Sequence, residues 1–274
     1  MLGRSGLQLA MAKTLKHLIN YGWRLLATAI SFASFGIGGV ILWLVIFPIL
    51  AILPGKPQTK ARRAQYMVHL SFYLFIGLMH RLGVMTYDIK GLDKLNRPGQ
   101  LIIANHPTLV DVVFLLSRIK HASCIVKASL LHNPAMRGSI LNAGYISNAD
   151  SETMINECAD WLSSGGCMII FPEGTRSVSG QPYHFQRGAA AIALQAGCIV
   201  TPVTITCQPS TLTKQLSWYQ IPSRRFHLQM RVGNDIPLTP YQNLQPRSIA
   251  VRRFSQHLQD YFTQQRERYE QHGN

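Results

Sequence analysis

Residues 100–111 read Q-L-I-I-A-N-H-P-T-L-V-D, and the fold turns on this stretch. The apolar run from Gln100 to Ala104 has the length and content of a buried strand, and a second apolar run opening at Leu109 reads as a helix. Pro107 stands between them and biases His106 away from helical geometry, which puts the histidine at a strand-to-helix turn. Asp111 then falls in the first helical turn, where the helix dipole favours a carboxylate.

The same alternation extends outward. Short strand-like runs at 85–89, 124–128, 167–171 and 199–206 alternate with helix-like segments at 109–119, 130–141, 151–163 and 187–196. Gly165 and Gly197 stand where the last two helices should stop. Residues 247–271 read as a long C-terminal helix. The expected fold is α/β, a mixed central sheet flanked by helices, with a catalytic domain over 85–246 and a C-terminal helix over 247–274.

The region before this domain has a different character. The chain carries 27 Lys and Arg against 12 Asp and Glu, a formal charge of +15, yet no acidic residue precedes Asp88. Leu7, Met11, Leu15, Leu18 and Ile19 recur at helical spacing among basic residues, so 1–24 reads as a basic amphipathic segment. Residues 25–53 contain no charge, and about twenty apolar residues suffice to cross a hydrocarbon core. Without an A-x-A cleavage site this segment is read as a retained anchor, transmembrane or re-entrant, with Gly36, Gly38, Gly39 and Pro48 as the positions where a hairpin would turn. A polar linker over 53–65 leads to a membrane-associated helical segment over 66–84, interrupted by His69, His80 and Arg81.

Each Lys or Arg near an anionic leaflet contributes about 1 kcal/mol, so the charge distribution points to a membrane partner. No RNP, helix-turn-helix or zinc-finger pattern accompanies it, and nucleic acid is not expected. The five cysteines are odd in number and lack C-x-x-C spacing, as buried thiols in a reducing compartment would be.

His106 and Asp111 suit general-base chemistry. With Asp111 on one ring nitrogen, the other is free to take a proton from an attacking hydroxyl, a contribution of about 10² to 10⁴ in rate. The alternative reading of the same pair is a helix-capping carboxylate and a turn histidine. Phe171 to Ser177, F-P-E-G-T-R-S, follows a strand and so lies where α/β sheets bind ligands. Gly174 allows a tight turn, the guanidinium of Arg176 matches phosphate oxygens, and Glu173 either accepts from hydroxyls or locks Arg176. G-x-S-x-G, G-x-x-x-x-G-K-[ST] and H-E-x-x-H are all absent, so no metal is expected.

With F-Q-R-G at 185–188 and I-V-T-P-V at 199–203, the chain resembles the glycerolipid acyltransferase family, in the branch that acylates lysophosphatidic acid and other lysophospholipids. The resemblance covers 100–206 and extends back toward Tyr66. It implies His106 as general base, Asp111 as its orienting carboxylate, and Glu173, Gly174, Thr175 and Arg176 as the acceptor-binding loop. Lys127 matches a lysine that contributes a cationic contact to phosphate, and Pro202 matches the final motif. Where the family usually ends a G-x-I-x-x-R segment in arginine, this chain reads Gly144-Tyr145-Ile146-Ser147-Asn148-Ala149 and has no arginine. That departure leaves open an acceptor with another head group, such as an amino-acid lipid, a glycolipid or an aryl-polyene lipid.

The resemblance implies transfer of a fatty acyl group from acyl-CoA or acyl carrier protein to a lysolipid hydroxyl, in phospholipid biosynthesis, with no bound cofactor. The implied location is a membrane, bacterial and inner, with the catalytic domain facing the cytoplasm. A noncatalytic lipid-binding membrane protein that kept the fold is the alternative from a different class.

Overall fold

Seven strands form one sheet in the computed structural model, which describes residues 4–148, 150–178 and 180–272. The side chains of residues 4–7, 9, 10 and 270–272 are also outside the description, and with them Leu7 of the expected basic segment and the end of the expected C-terminal helix. The strands are β1 (Met85–Lys90), β2 (Gln100–Ala104), β3 (Ala122–Val126), β4 (Ile146–Ser147), β5 (Cys167–Ile170), β6 (Ile199–Gln208) and β7 (Phe226–Val232). Their order is β1-β7-β6-β2-β5-β3-β4. Every neighbouring pair is parallel except β6 with β7, so the sheet is mixed.

Two helical layers cover the sheet. One comprises α1 (Arg4–Ile41), α2 (Phe47–Ile52), α3 (Pro57–Arg81), α4 (Asp111–Leu116) and α5 (Pro134–Asn142); the other is built mainly from α6 (Ser151–Ser163), α7 (Gly188–Ala196) and α9 (Arg247–His272), with the short α8 (Thr239–Gln242) beside α9. Strand β2 shows how the layers are specified: Ile102 and Ala104 belong to the core under the first, Leu101 and Ile103 to the core under the second. Period-2 alternation places successive side chains on opposite faces, and a strand covered on both must be apolar throughout. In α9, Phe254, Leu258 and Phe262 repeat every fourth residue and are fully buried.

The N-terminal region differs from the sequence reading in two ways. First, α1 runs through Gly36, Gly38 and Gly39 without turning back, and a π-helical turn, Leu42–Ile46, carries it into α2. Of the three, Gly39 serves close packing instead. A β-carbon at Gly39 would stand 2.2 Å from the Ala135 carbonyl oxygen of α5, and one at Gly138 would stand 2.5 Å from Trp43 Cβ. Second, α3 begins at Pro57 rather than beyond residue 65, because proline is pre-organised for the first helical position. Lys60 Nζ and Arg63 Nη1 then donate to the carbonyls of Ala51 and Pro54, so the linker shrinks to a sharp corner.

By length and composition the stretch Met11–Ile52 is apolar enough to cross a membrane. One of its faces nevertheless packs on the domain: Ala27, Leu42 and Phe47 share a core with Val68, Phe72 and Ile76 of α3 and with Phe114 of α4. Replacing Gly39 with valine is expected to force α1 and α5 apart and to lower stability by about 1–3 kcal/mol. A thermal melt in detergent measures this, and an unchanged midpoint would mean that α1 is not seated on α5.

Candidate active site

His106 leaves the carboxyl end of β2, and Asp111 opens α4 five residues later. The two side chains meet, with His106 Nδ1 lying 2.9 Å from Asp111 Oδ2. Asp111 is completely buried. Thr108 fixes it further, its backbone N–H donating to Oδ2 and its hydroxyl to Oδ1, each at 2.6 Å. A buried carboxylate is tolerable only with such partners, and these three also set its orientation. The imidazole is one-sixth exposed and tilts over the Phe171 ring at 4.5 Å between centroids. With Nδ1 held by Asp111, Nε2 is the nitrogen left for chemistry.

The loop after β5 closes over this turn. Glu173 Oε1 accepts from the His106 backbone N–H at 3.0 Å and from the Ser177 hydroxyl at 2.8 Å. The Ser177 N–H donates to the His106 carbonyl at 2.8 Å, so the two motifs are stitched together by backbone as well as side chains. Burial pushes the Glu173 carboxyl above the usual range, and the bonds from Ser177 and His106 partly offset this. Gly174 takes φ of +64°, a left-handed conformation that favours glycine, whereas the contact a β-carbon would make, 2.7 Å from the end of the Gln186 side chain, could be relieved by moving that amide.

A family model described as Acyltransferase matches residues 86–206, the span that contains both motifs. A 1-acyl-sn-glycerol-3-phosphate acyltransferase of Pseudomonas aeruginosa is 27% identical over 163 residues, 57% of this chain and 62% of the relative. Another protein of that name, from Chlamydomonas reinhardtii, is 30% identical over 43% of this chain and 37% of its own length. This chain thus spans less than two thirds of either relative. The crystal structure of the 1-acyl-sn-glycerophosphate acyltransferase PlsC from Thermotoga maritima superposes with a TM-score of 0.62 at 18% identity, over 89% of this chain and 96% of that one, which establishes a shared fold. Over residues 86–206 the chain is thus similar to the acyltransferase family, PlsC-like proteins among its relatives.

Other positions matched to that family occupy less expected places. Arg176 does not lock onto Glu173; its Nη1 donates to the carbonyls of Leu212 (2.9 Å) and Thr213 (2.8 Å) in the connection between β6 and β7. Thr175 lies partly exposed in the same loop. Lys127 is exposed just past the carboxyl end of β3, and Asn148 holds the turn beyond it, Oδ1 accepting from the Ala128 N–H at 3.2 Å. Pro202 lies within β6 opposite Ile103 of β2, as part of the sheet frame. Proline is tolerated there because pairing with β7 starts only at Val203.

Thr108 and Ser177 hydrogen-bond the candidate residues Asp111 and Glu173, and the sequence reading did not single them out. Thr108 stands three residues before Asp111 and Ser177 four after Glu173, spacings at which a hydroxyl reaches a carboxylate across a turn. The cysteines are free, and burial pushes Cys124, Cys158, Cys167 and Cys207 up to about 12 and Cys198 to about 11, far from a thiolate nucleophile. An apolar cavity of about 450 Å³ opens between α1, α3 and α5, and none of its lining residues comes from the His106 or Glu173 loops.

Proposed function

We propose that this chain is a membrane-seated O-acyltransferase that moves a fatty acyl group from an acyl-CoA or acyl carrier protein thioester to the hydroxyl of a lysophospholipid such as 1-acylglycerol-3-phosphate. The observation that carries the reading is the His106–Asp111 pair, a partly exposed imidazole whose Nδ1 is held at 2.9 Å by a fully buried carboxylate. Nε2 accepts the proton of the acceptor hydroxyl as its oxygen attacks the thioester carbonyl. The tetrahedral adduct collapses with cleavage of the C–S bond, and the proton passes to the departing sulfur. An ester and a free thiol result, without a covalent enzyme intermediate.

Arg176, Lys127 and Glu173 line or support the acceptor side in this reading. The missing arginine favours a variant of it, in which the acceptor head group is not a simple phosphomonoester, because neither Asn148 nor the alanine after it makes a charge-assisted fork to phosphate. The seat on the membrane rests on α1 and α2. Leu26, Ile30, Ile37, Ile41, Leu44 and Ile49 are exposed along one face while the opposite face is buried or half-buried against the domain. A helix partnered along one side and greasy along the other suits lying in the interface of one leaflet better than crossing it.

A thioester-release assay tests the activity. Detergent-solubilised protein receives acyl-CoA or acyl carrier protein together with a panel of lysolipids, and thiol appearance is followed. Release that depends on the acceptor is expected. Absence of thiol release with every acceptor in the panel, from protein that still binds vesicles, would favour the noncatalytic lipid-binding alternative.

A further inference from the structure

The connection between β6 and β7, residues 209–225, is tethered at both ends and exposed in the middle. Near its start, the Leu212 carbonyl accepts from Arg176 and from the Leu109 N–H, and Leu212 is buried. Near its end, Arg24 of α1, itself 4% exposed, donates from Nη1 to the Pro222 carbonyl and from Nη2 to the Ser223 carbonyl, both at 2.8 Å. A guanidinium is buried here to hold loop backbone to the anchor helix, which fixes the connection beside α1.

Between the tethers the chain turns outward. Leu216, Trp218 and Tyr219 are 37%, 44% and 55% exposed, and the Trp218 ring lies 5.7 Å from Phe32 of α1. Charge distinguishes this tip from an ordinary loop. No acidic residue occurs between Glu173 and Asp235, just as none precedes Asp88. The two longest carboxylate-free segments of the chain are the ones that meet at Arg24 and Phe32. Tryptophan and tyrosine with a basic fringe suit the level of lipid headgroups, where an aromatic body is buried and its polar edge stays wet.

We propose that the β6–β7 connection is a second membrane contact, Leu216, Trp218 and Tyr219 entering the interface of an anionic bilayer beside α1 while Lys214, Arg224 and Arg225 lie over its headgroups. The inference rests on the membrane seat proposed above and adds a contact outside the N-terminal helices. Because Arg176 holds the Leu212 and Thr213 carbonyls, the contact joins the bilayer to the Glu173 loop through one side chain.

The test uses full-length protein with Trp218 as its sole tryptophan, through Trp23→Phe, Trp43→Phe and Trp161→Phe, on phosphatidylglycerol-rich vesicles carrying brominated acyl chains. Bound Trp218 should shift to the blue and lose most of its emission when the bromines sit near the headgroups, and less when they sit deep. If the triple variant does not fold, the difference in quenching between the unmodified protein and Trp218→Phe reports the same residue. Vesicle-bound protein whose Trp218 stays unquenched overturns the proposal and leaves the tip to an acidic protein partner. Failure to float with vesicles at all overturns the membrane seat as well. Neither readout needs turnover, so an inactive protein does not obscure the result.

Discussion

Replacing His106 with alanine should lower kcat by about 10² to 10⁴ and leave the melting temperature close to that of the unmodified protein, the loss expected when a positioned base is removed. Stability should survive because the side chain is not the only partner of its neighbour. Asp111 still accepts from the Thr108 N–H and hydroxyl, and Phe171 loses one ring contact. The backbone bonds of His106 to Glu173 and Ser177 do not involve the imidazole and remain. Steady-state kinetics beside a thermal melt measure both halves, and turnover retained by a folded variant would remove the general base from the mechanism.

Asp111→Asn should separate from that result by affecting activity and stability together. The carboxylate accepts three hydrogen bonds and has no exposed surface of its own. An amide in its place offers one oxygen and turns an N–H₂ toward a remaining donor. Leaving a buried donor unsatisfied costs about 1–3 kcal/mol. The imidazole can relieve the conflict by moving its proton from Nδ1 to Nε2, which is the wrong tautomer for a base. The equivalent substitution in a serine-protease triad lowers kcat about 10⁴-fold for that reason. A drop in kcat of about 10² to 10⁴ with a lowered melting point is therefore expected here. Wild-type stability would show that Asp111 is less committed to Thr108 than its geometry requires.

The local parts of this molecule were legible in its sequence, and the long-range parts were not. The β2–His106–α4 unit could be read because its strand, proline and carboxylate lie within twelve residues. α6 begins and ends where expected, with Asp150 accepting from the Thr153 N–H at its start. α5 starts four residues later than expected because Pro134 takes the first helical position under the Asn133 cap. α4 stops early at Leu116, where the Ser117 hydroxyl turns back onto the Phe114 carbonyl. Strand β7 carried a readable signal, since Phe226, Leu228, Met230 and Val232 alternate with polar residues and are all buried. A search for continuous apolar runs passes over it. The acceptors of Arg176 are backbone carbonyls 36 and 37 residues away, and a carbonyl leaves no trace in residue type. Glu173 was recognisable as an acceptor, while one of its donors, the His106 N–H, lies 67 residues off.

The seating of α1 bears on how the protein can be handled. Ala27, Leu42 and Phe47 are as deeply buried as the strands beneath them, and Arg24 holds the far end of the β6–β7 connection. Trimming the chain back to residue 57 in pursuit of a detergent-free fragment would strip the cover from α3 and α5 and cut the tether of a loop that reaches the Glu173 motif, and trimming to residue 85 would remove α3 as well. The boundary between anchor and enzyme that hydropathy draws is not a boundary of the folding unit. Solubility is better sought by changing the outward stripe, with Ile30, Ile37 and Leu44 replaced by polar residues, than by removing the helix that bears it.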